Sequence, residues 1–340
     1  MTGFNFIQSA PMSLIVIKPG ILDTVQDAGR FGYQHLGINP GGAMDHFSAQ
    51  TVNFLVGNSP REAVIEMHFP AAAFLFQQDA IIAVGGADFL PSIDGEHIPL
   101  WHPIIINKNS VLQFHGIKKG AQCYLAIKEG LDIPKWLGSF STHTKAGLGG
   151  FHGRALQKND VVPFKPHDCY AKYLSGRDYV ILPWQVDVRW SPSMPEKIAV
   201  LPGHEWNWIP ETLQSEFINK PFTITFSSDR MGYCLSGVPV HSNIKAELIS
   251  SAVSFGTVQL LPDGQLIVLM ADHQTAGGYP RIAHVISAHL PLLAQVRPGE
   301  KIQFQITDIV TAEQQLIRQT NHLQQLQYAC KLRLDEFLKV

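Results

Sequence analysis

Short apolar or alternating runs recur along this chain and are cut apart by turn residues, a pattern of short β-strands rather than of long helices. In the first half Ser13 to Ile17, Phe74 to Phe76, Ala80 to Val84, Ile104 to Ile106, Val111 to Phe114 and Tyr124 to Lys128 read as strands. The second half repeats the style at Lys197 to Leu201, Phe222 to Phe226, Thr257 to Leu260, Leu266 to Met270 and Lys301 to Ile306. Turn signals such as Asp94-Gly95 and Lys119-Gly120, with 28 glycines and 22 prolines, keep every element short. Helical segments are expected only at Phe47 to Leu55, Pro134 to Leu137, Pro210 to Phe217 and in a tail starting near Thr311. There Thr311 and Gln314 match a capping box, and Leu316, Leu323, Cys330 and Phe337 recur on one face. That amphipathic tail is expected to pack across the β structure.

Self-similarity adds a second level. Arg30-Phe31-Gly32-Tyr33 followed by Gly37 returns, at the same spacing, as Arg230-Met231-Gly232-Tyr233 followed by Gly237. Glu66 then matches Glu247, Ala87-Asp88 matches Ala271-Asp272, and Leu112-Gln113-Phe114 matches Ile302-Gln303-Phe304. The reading is a mainly β, internally duplicated protein with few helices. A first barrel-like domain is placed over 12–190 with a helical insertion, a second over 195–310, and the amphipathic helix over 311–338. Duplicated barrels commonly hold a ligand between the copies, and Arg30 and Arg230 are expected to face that cleft.

Composition excludes several classes. Hydrophobic residues make up 45% of the 340 and charged residues 16%, which rules out disorder across the body of the chain. A net charge of −2 without any basic stretch argues against nucleic acid as a partner. Apolar runs such as Ala71 to Phe76 are far shorter than a membrane span, and the first 17 residues hold no Lys or Arg, so neither a membrane span nor a signal peptide is expected. Cys123, Cys169, Cys234 and Cys330 lack paired spacing and read as free thiols of a cytoplasmic protein. The histidines, including His143, His152, His284 and His289, lack metal-ligand spacing, and no metal site is expected.

Four polar, glycine-rich segments carry the candidate chemistry. The first runs from Thr24-Val25-Gln26-Asp27 through Arg30 to Gly41-Gly42-Ala43-Met44-Asp45, and the second from Gly138-Ser139-Phe140-Ser141-Thr142 to Gly149-Gly150 and Gly153-Arg154. Nothing after the second reads as a helix, so neither a dinucleotide turn nor a phosphate loop is supported. The third is Ser227-Ser228-Asp229-Arg230, and the fourth Asp272-His273-Gln274-Thr275-Ala276-Gly277-Gly278-Tyr279-Pro280. Carboxylate, carboxamide and hydroxyl before a Gly-Gly pair match both edges of an amide and leave backbone N–H groups for a developing oxyanion. Asp272, Gln274 and Thr275 are therefore the expected catalytic residues, with Asp88 as the counterpart of Asp272. Gln26, Asp27, Arg30, Asp45, Arg154, Asp229, Arg230, Gly277, Gly278 and Tyr279 are the expected substrate-binding set.

Taken in order, these segments resemble the biotin-dependent carboxyltransferase family, which includes the C subunit of 5-oxoprolinase (allophanate hydrolase subunit 2) and an antagonist of a kinase inhibitor. The resemblance spans roughly Ser13 to Phe304. It implies cyclophilin-like barrels, a small amide or lactam substrate, and work with the A and B subunits of a 5-oxoprolinase whose assembly uses ATP, with no cofactor bound covalently to this chain. Phe140 stands where relatives often carry Arg, which weakens the transfer of a substrate from the family. Three functions stay open: an ATP-dependent 5-oxoprolinase component inactive alone, a carboxyltransferase component acting on urea or a related amide, and a non-enzymatic antagonist of a kinase inhibitor. No Met-Lys-Met biotinylation site occurs, so the second would need a separate carrier.

Overall fold

The computed structural model describes residues 12–191, 196–240 and 248–339. The first half builds two six-stranded antiparallel sheets. One runs in the order Val161–Pro163, Ser13–Lys18, Ala73–Phe76, Val111–Phe114, Pro91–Ile93, Glu96–His97, and the other Tyr179–Ile181, Pro103–Ile106, Ala80–Asp88, Lys119–Ile127, Val64–Met67, Thr24–Gln26. Leu14, Val16, Phe74 and Leu112 from the first sheet share one core with Ile65, Ile82, Val84, Ile104 and Leu125 from the second. The other face of the second sheet is covered too, since Ile81, Ala83, Ile105 and Ala126 pack with Val52 and Leu55 of the helix His46–Leu55 and with Leu326, Cys330 and Leu334 of the C-terminal helix. Burial on both faces explains why these strands read as unbroken apolar runs rather than alternating ones.

The second half is a near-closed barrel. Its eight strands run Lys301–Ile302, Phe222–Ile224, Gly232–Ser236, Leu266–Leu269, Thr257–Leu260, Arg281–Val285, Ile198–Pro202, Phe304–Ile306. The two edge strands are neighbours in sequence. Ile302 pairs with Phe222 on one side, Phe304 pairs in parallel with Ile198 on the other, and the Gln303 carbonyl between them accepts the Ile198 N–H at 2.8 Å. Phe217, Phe222 and Phe304 pack inside, the first and last stacked at 4.7 Å. One carboxamide joins the halves: Gln295 donates to Asp45 Oδ2 (2.8 Å) and the Gln122 carbonyl (3.0 Å) and accepts from Ala121 N–H and Gln122 N–H (2.9 and 3.1 Å). That is the full hydrogen-bonding capacity of an amide side chain.

Several local expectations change. The C-terminal helix runs Ile309–Leu338 and is capped by Asp308, whose carboxylate accepts from Thr311 N–H and Oγ1–H at 2.8 Å each. The Asp cap thus serves Thr311 N–H, where a Thr311 box would have served Gln314 N–H one turn later. Its buried face is Ala312, Gln319, Leu326, Cys330 and Leu334, while Leu316 is 41% exposed. The Pro134 to Leu137 helix does not form: Leu137 and Gly138 take left-handed φ values of 50° and 76°, and Trp136 pairs with Ser139 instead. The repeated landmarks also sit in different settings, because Tyr33 leads into a single 3-10 turn (Gln34–Leu36) whereas Tyr233 lies in a strand. Likewise Leu112-Gln113-Phe114 lies within one strand, while Gln303 separates two. Glu247 lies outside the described residues. Among those described, no helix is long and apolar enough to cross a membrane.

Beneath the first half, Asp23 is fully buried and accepts from Ala72 N–H at 2.6 Å and His68 N–H at 3.3 Å. Burial raises its pKa from the ordinary 3.8 to about 7 against these backbone donors. The folded chain thus keeps a proton that the unfolded chain loses, and this residue's contribution to stability declines as pH rises through that window. The melting temperature of Asp23→Asn relative to wild type should therefore rise between pH 4 and pH 8; a flat difference would show that Asp23 does not titrate there.

Candidate active site between the two halves

The loop after Thr24–Gln26 is built around Asp27. Its Oδ1 accepts from Gly29 N–H (2.8 Å), Ser139 Oγ–H (2.7 Å) and Ser141 Oγ–H (2.5 Å), and its Oδ2 from Phe140 N–H (2.7 Å). With all of these made, Asp27 anchors the 138–142 loop to the Arg30 loop rather than presenting a free carboxylate. Phe140 is 5% exposed inside the first core, with Lys135 over its ring at 4.7 Å. Arg30, 1% exposed, donates through Nη2 to the Ser141 carbonyl and lies over the Trp136 ring at 4.6 Å. Its Nε and Nη1 have no partner among the described residues. Two glycines make room for this guanidinium: a Cβ on Gly149 (φ +69°) would fall 2.3 Å from the Ser141 oxygen, and one on Gly41 (φ +61°) 3.1 Å from Arg30 Nη1.

The second guanidinium is tied down on every side. Arg230 donates through Nε and Nη2 to the two Asp272 oxygens at 2.9 and 3.0 Å, through Nη2 to the Gly42 carbonyl at 2.7 Å, and through Nη1 to Glu66 Oε1. Glu66 Oε2 in turn accepts from Met44 N–H (2.7 Å) and Tyr124 O–H (2.8 Å), and the Tyr124 oxygen accepts from Asp45 N–H (2.8 Å). Burial works against the Arg230 charge, yet Asp272 and Glu66 hold its pKa above the usual guanidinium value. Arg30 differs: burial and the nearby Arg230 draw its pKa down, opposed by Asp27 and Asp272. The two arginines converge on Asp272, since the methyl position on Gly41 that lies against Arg30 Nη1 is also 3.6 Å from Asp272 Oδ1.

Above this network opens a cleft of about 190 Å³, lined by Asn39, His143, Lys145, Asp229, Arg230, Asp272, His273 and Gln274 among others. Of the expected residues, the structure thus assembles Asp229, Arg230, Asp272 and Gln274 at the cleft, with Arg30 and Asp27 beneath it. The rest lie elsewhere. Gln26 bonds Thr24 Oγ1 at 2.9 Å within its strand, Asp45 caps the helix His46–Leu55 through Ser48 N–H at 2.9 Å, and Arg154 is clamped by Asp160 at 2.7 and 2.9 Å. Thr275, Gly277, Gly278 and Tyr279 follow Gln274 into a ribbon in which Ala276–Gly277 pairs with Ser251–Ala252, and Tyr279 is 45% exposed. Gly277 supplies room, not left-handed backbone: a Cβ there would fall 2.7 Å from Gln259 Nε2. Asp88, the expected counterpart of Asp272, accepts from Leu90 N–H, pairs with Lys118 at 3.4 Å and lines a separate groove of about 720 Å³.

Asn39 and His273 were not anticipated as cleft residues. Asn39 donates to the Asp272 carbonyl at 3.1 Å and keeps an unpartnered Oδ1, and His273 meets the Gln274 carbonyl at 2.5 Å. Both lie inside the polar segments singled out above, Asn39 in the first and His273 in the fourth, and only that position hinted at them.

Comparison with known proteins places this arrangement. A model of the carboxyltransferase domain, subdomain A and B, matches residues 36–306. The chain belongs to that family. Among carboxyltransferase-domain relatives, the 5-oxoprolinase C subunit of Haemophilus influenzae is 34% identical over 289 residues, covering 85% of this chain and 89% of the relative. The Escherichia coli protein of the same name is 33% identical over 291 residues, covering 86% and 90%. Of solved structures, the urea amidolyase of K. lactis superposes with a TM-score of 0.85 at 25% identity over 95% of this chain. This carboxyltransferase domain spans only 20% of that enzyme's length.

The two arginines separate by experiment. Arg230→Ala leaves Glu66 and Asp272 buried without their cation, a change that costs about 3–5 kcal/mol in comparable sites. Removing Arg154 from its partly exposed pair should cost about 1 kcal/mol or less. Chemical denaturation of the two variants should rank them in that order, and equal losses would refute the clamp.

Proposed function

We propose that this carboxyltransferase-domain chain is the C subunit of an ATP-dependent 5-oxoprolinase, working with the A and B subunits to open the lactam of 5-oxoproline to glutamate. The observation that carries the reading is the end-to-end correspondence with two proteins of that name, 85% or more of both partners in each pair. The cleft agrees in scale. Its 190 Å³ equals roughly six water volumes at about 30 Å³ each, enough room for a small amide. Its chemistry agrees as well: Gln274, which donates to Gln259 Oε1 at 3.3 Å, and Asn39, whose Oδ1 has no partner among the described residues, line it beside Lys145, so donors and acceptors stand together as an amide requires. ATP is used by the assembly, with no group attached covalently to this chain, and the cytoplasm is its compartment. In this reading Asp272 does not move the proton, since both its oxygens hold Arg230; it orients the turn that carries Gln274.

The second reading, a carboxyltransferase component for urea or a related amide, is favoured by the superposition on urea amidolyase. Affinity purification separates the two. Recovery of the A and B subunits, with lactam opening that needs ATP and is negligible for the chain alone, supports the first. Recovery of a biotinylated carrier supports the second, and turnover by the isolated chain would reject assembly. In the reconstituted complex, Gln274→Ala should lower kcat/KM about tenfold or more while leaving assembly and melting temperature unchanged. Full turnover by that variant would move the reacting centre off this turn.

A further inference from the structure

The cleft needs a group that can accept a proton, and the obvious carboxylates are committed. Asp272 is held through both oxygens by Arg230, and Asp229 spends Oδ1 on Met231 N–H and Gly232 N–H at 2.7 and 3.2 Å while its Oδ2 faces Lys145 at 4.0 Å. Lys145 brings only donors. Among the described residues two imidazoles remain, His143 and His273. The neighbours of His143 fix its role. Ala146 N–H is shared between the His143 carbonyl at 3.2 Å and ring Nδ1 at 3.4 Å, so the neutral ring carries its proton on Nε2 and is a donor. His273 is the reverse case. Its Nδ1 lies 2.5 Å from the Gln274 carbonyl, which can only accept, so the proton is on Nδ1 and Nε2 holds the lone pair. His273 is 2% exposed, and its N–H donates to the Met270 carbonyl at 3.1 Å, which holds the turn that carries it.

We infer that His273 Nε2 is the proton acceptor of this cleft, oriented by the Gln274 carbonyl and serving a bound amide or lactam. The inference rests on the amide reading above and serves both versions of it. The step is an amide N–H bond breaking: the electron pair stays with the amide, which becomes an imidate, and the proton moves to Nε2, giving an imidazolium. The imidate is the better nucleophile, through oxygen toward a phosphoryl group or through nitrogen toward a carboxyl group. Asp272, beside the ring, favours the imidazolium, while His143 Nε2–H can meet the carbonyl oxygen as charge grows there. Burial lowers the His273 pKa from 6.5, opposed by the Gln274 carbonyl and Asp272. His143 is likewise lowered by burial, with Asp272 raising it and Arg30 and Lys145 lowering it. At neutral pH both rings are therefore uncharged, one donor and one acceptor.

The test uses the reconstituted complex. Because a base acts when unprotonated, wild-type kcat/KM should rise with pH along a limb below 6.5 and level off at neutrality. His273→Asn keeps an N–H for the Gln274 carbonyl and removes the base; it should lose about 10²- to 10⁴-fold in kcat/KM, lose the limb, and keep its melting temperature and assembly. Free imidazole should restore part of the activity of His273→Ala. Retention of turnover within about threefold by His273→Asn, or a loss with the limb intact and no imidazole rescue, would overturn the inference. If the complex opens no lactam, the substrate reading has failed instead. In that event ¹⁵N NMR of the His273 ring, titrated with urea and 2-pyrrolidinone, decides the inference: a shift at Nε2 on binding sustains it, and an unmoved Nε2 signal sinks it.

Discussion

A buried guanidinium organises this molecule. Arg230 belongs to the second half, yet two of its partners, Glu66 and the Gly42 carbonyl, belong to the first. An isolated charge at that depth would cost several kcal/mol, so the fold is committed to bringing both carboxylates and the Gly42 loop to the same point. Once they are there, much else follows. Glu66 sets Tyr124 and the Met44 backbone, Tyr124 sets the start of the helix His46–Leu55, and Asp272 is turned so that its neighbours His273 and Gln274 line the cleft. Stability and site geometry are one network here, and Gln295 and Asn39 add further polar ties between the halves.

Arg30 is the complement of Arg230. Both are buried and both approach Asp272, but Arg30 has two nitrogens, Nε and Nη1, without a partner among the described residues, where each of the three Arg230 nitrogens has one. Unspent donors in a buried guanidinium are costly unless something uses them. That difference separates a clamp from a guanidinium with unmet donors, a division invisible in two identical Arg-x-Gly-Tyr strings.

Much of the β architecture was legible because strand signals are local: Val111–Phe114 and Thr257–Leu260 fall where apolar runs end at turn residues. The Pro134 to Leu137 segment misled because helix and turn share its composition, and only the left-handed backbone at Leu137 and Gly138 decides between them. The site was legible in part for a similar reason. Motifs announce residue types, so the arginines, Asp272 and Gln274 stood out. What a motif does not announce is which partner takes each side chain: Arg154 looks as free as Arg30 until Asp160 is seen on it, and Asp45 looks like a ligand until it is seen capping a helix. His273 was hidden most completely, because a tautomer is set by a single carbonyl and leaves no trace in spacing.

The closure of the barrel at Gln303 has a further meaning for how the chain avoids sticking to itself. An open sheet offers rows of unpaired N–H and C=O groups that invite other chains to add a strand. Here the same short stretch, Lys301 to Ile306, covers both borders at once, with one residue between the strand that serves each. A longer link would uncouple the two strands, so that either border could open and offer its backbone groups to another chain. The position is thus less tolerant of insertion than its place between two short strands suggests.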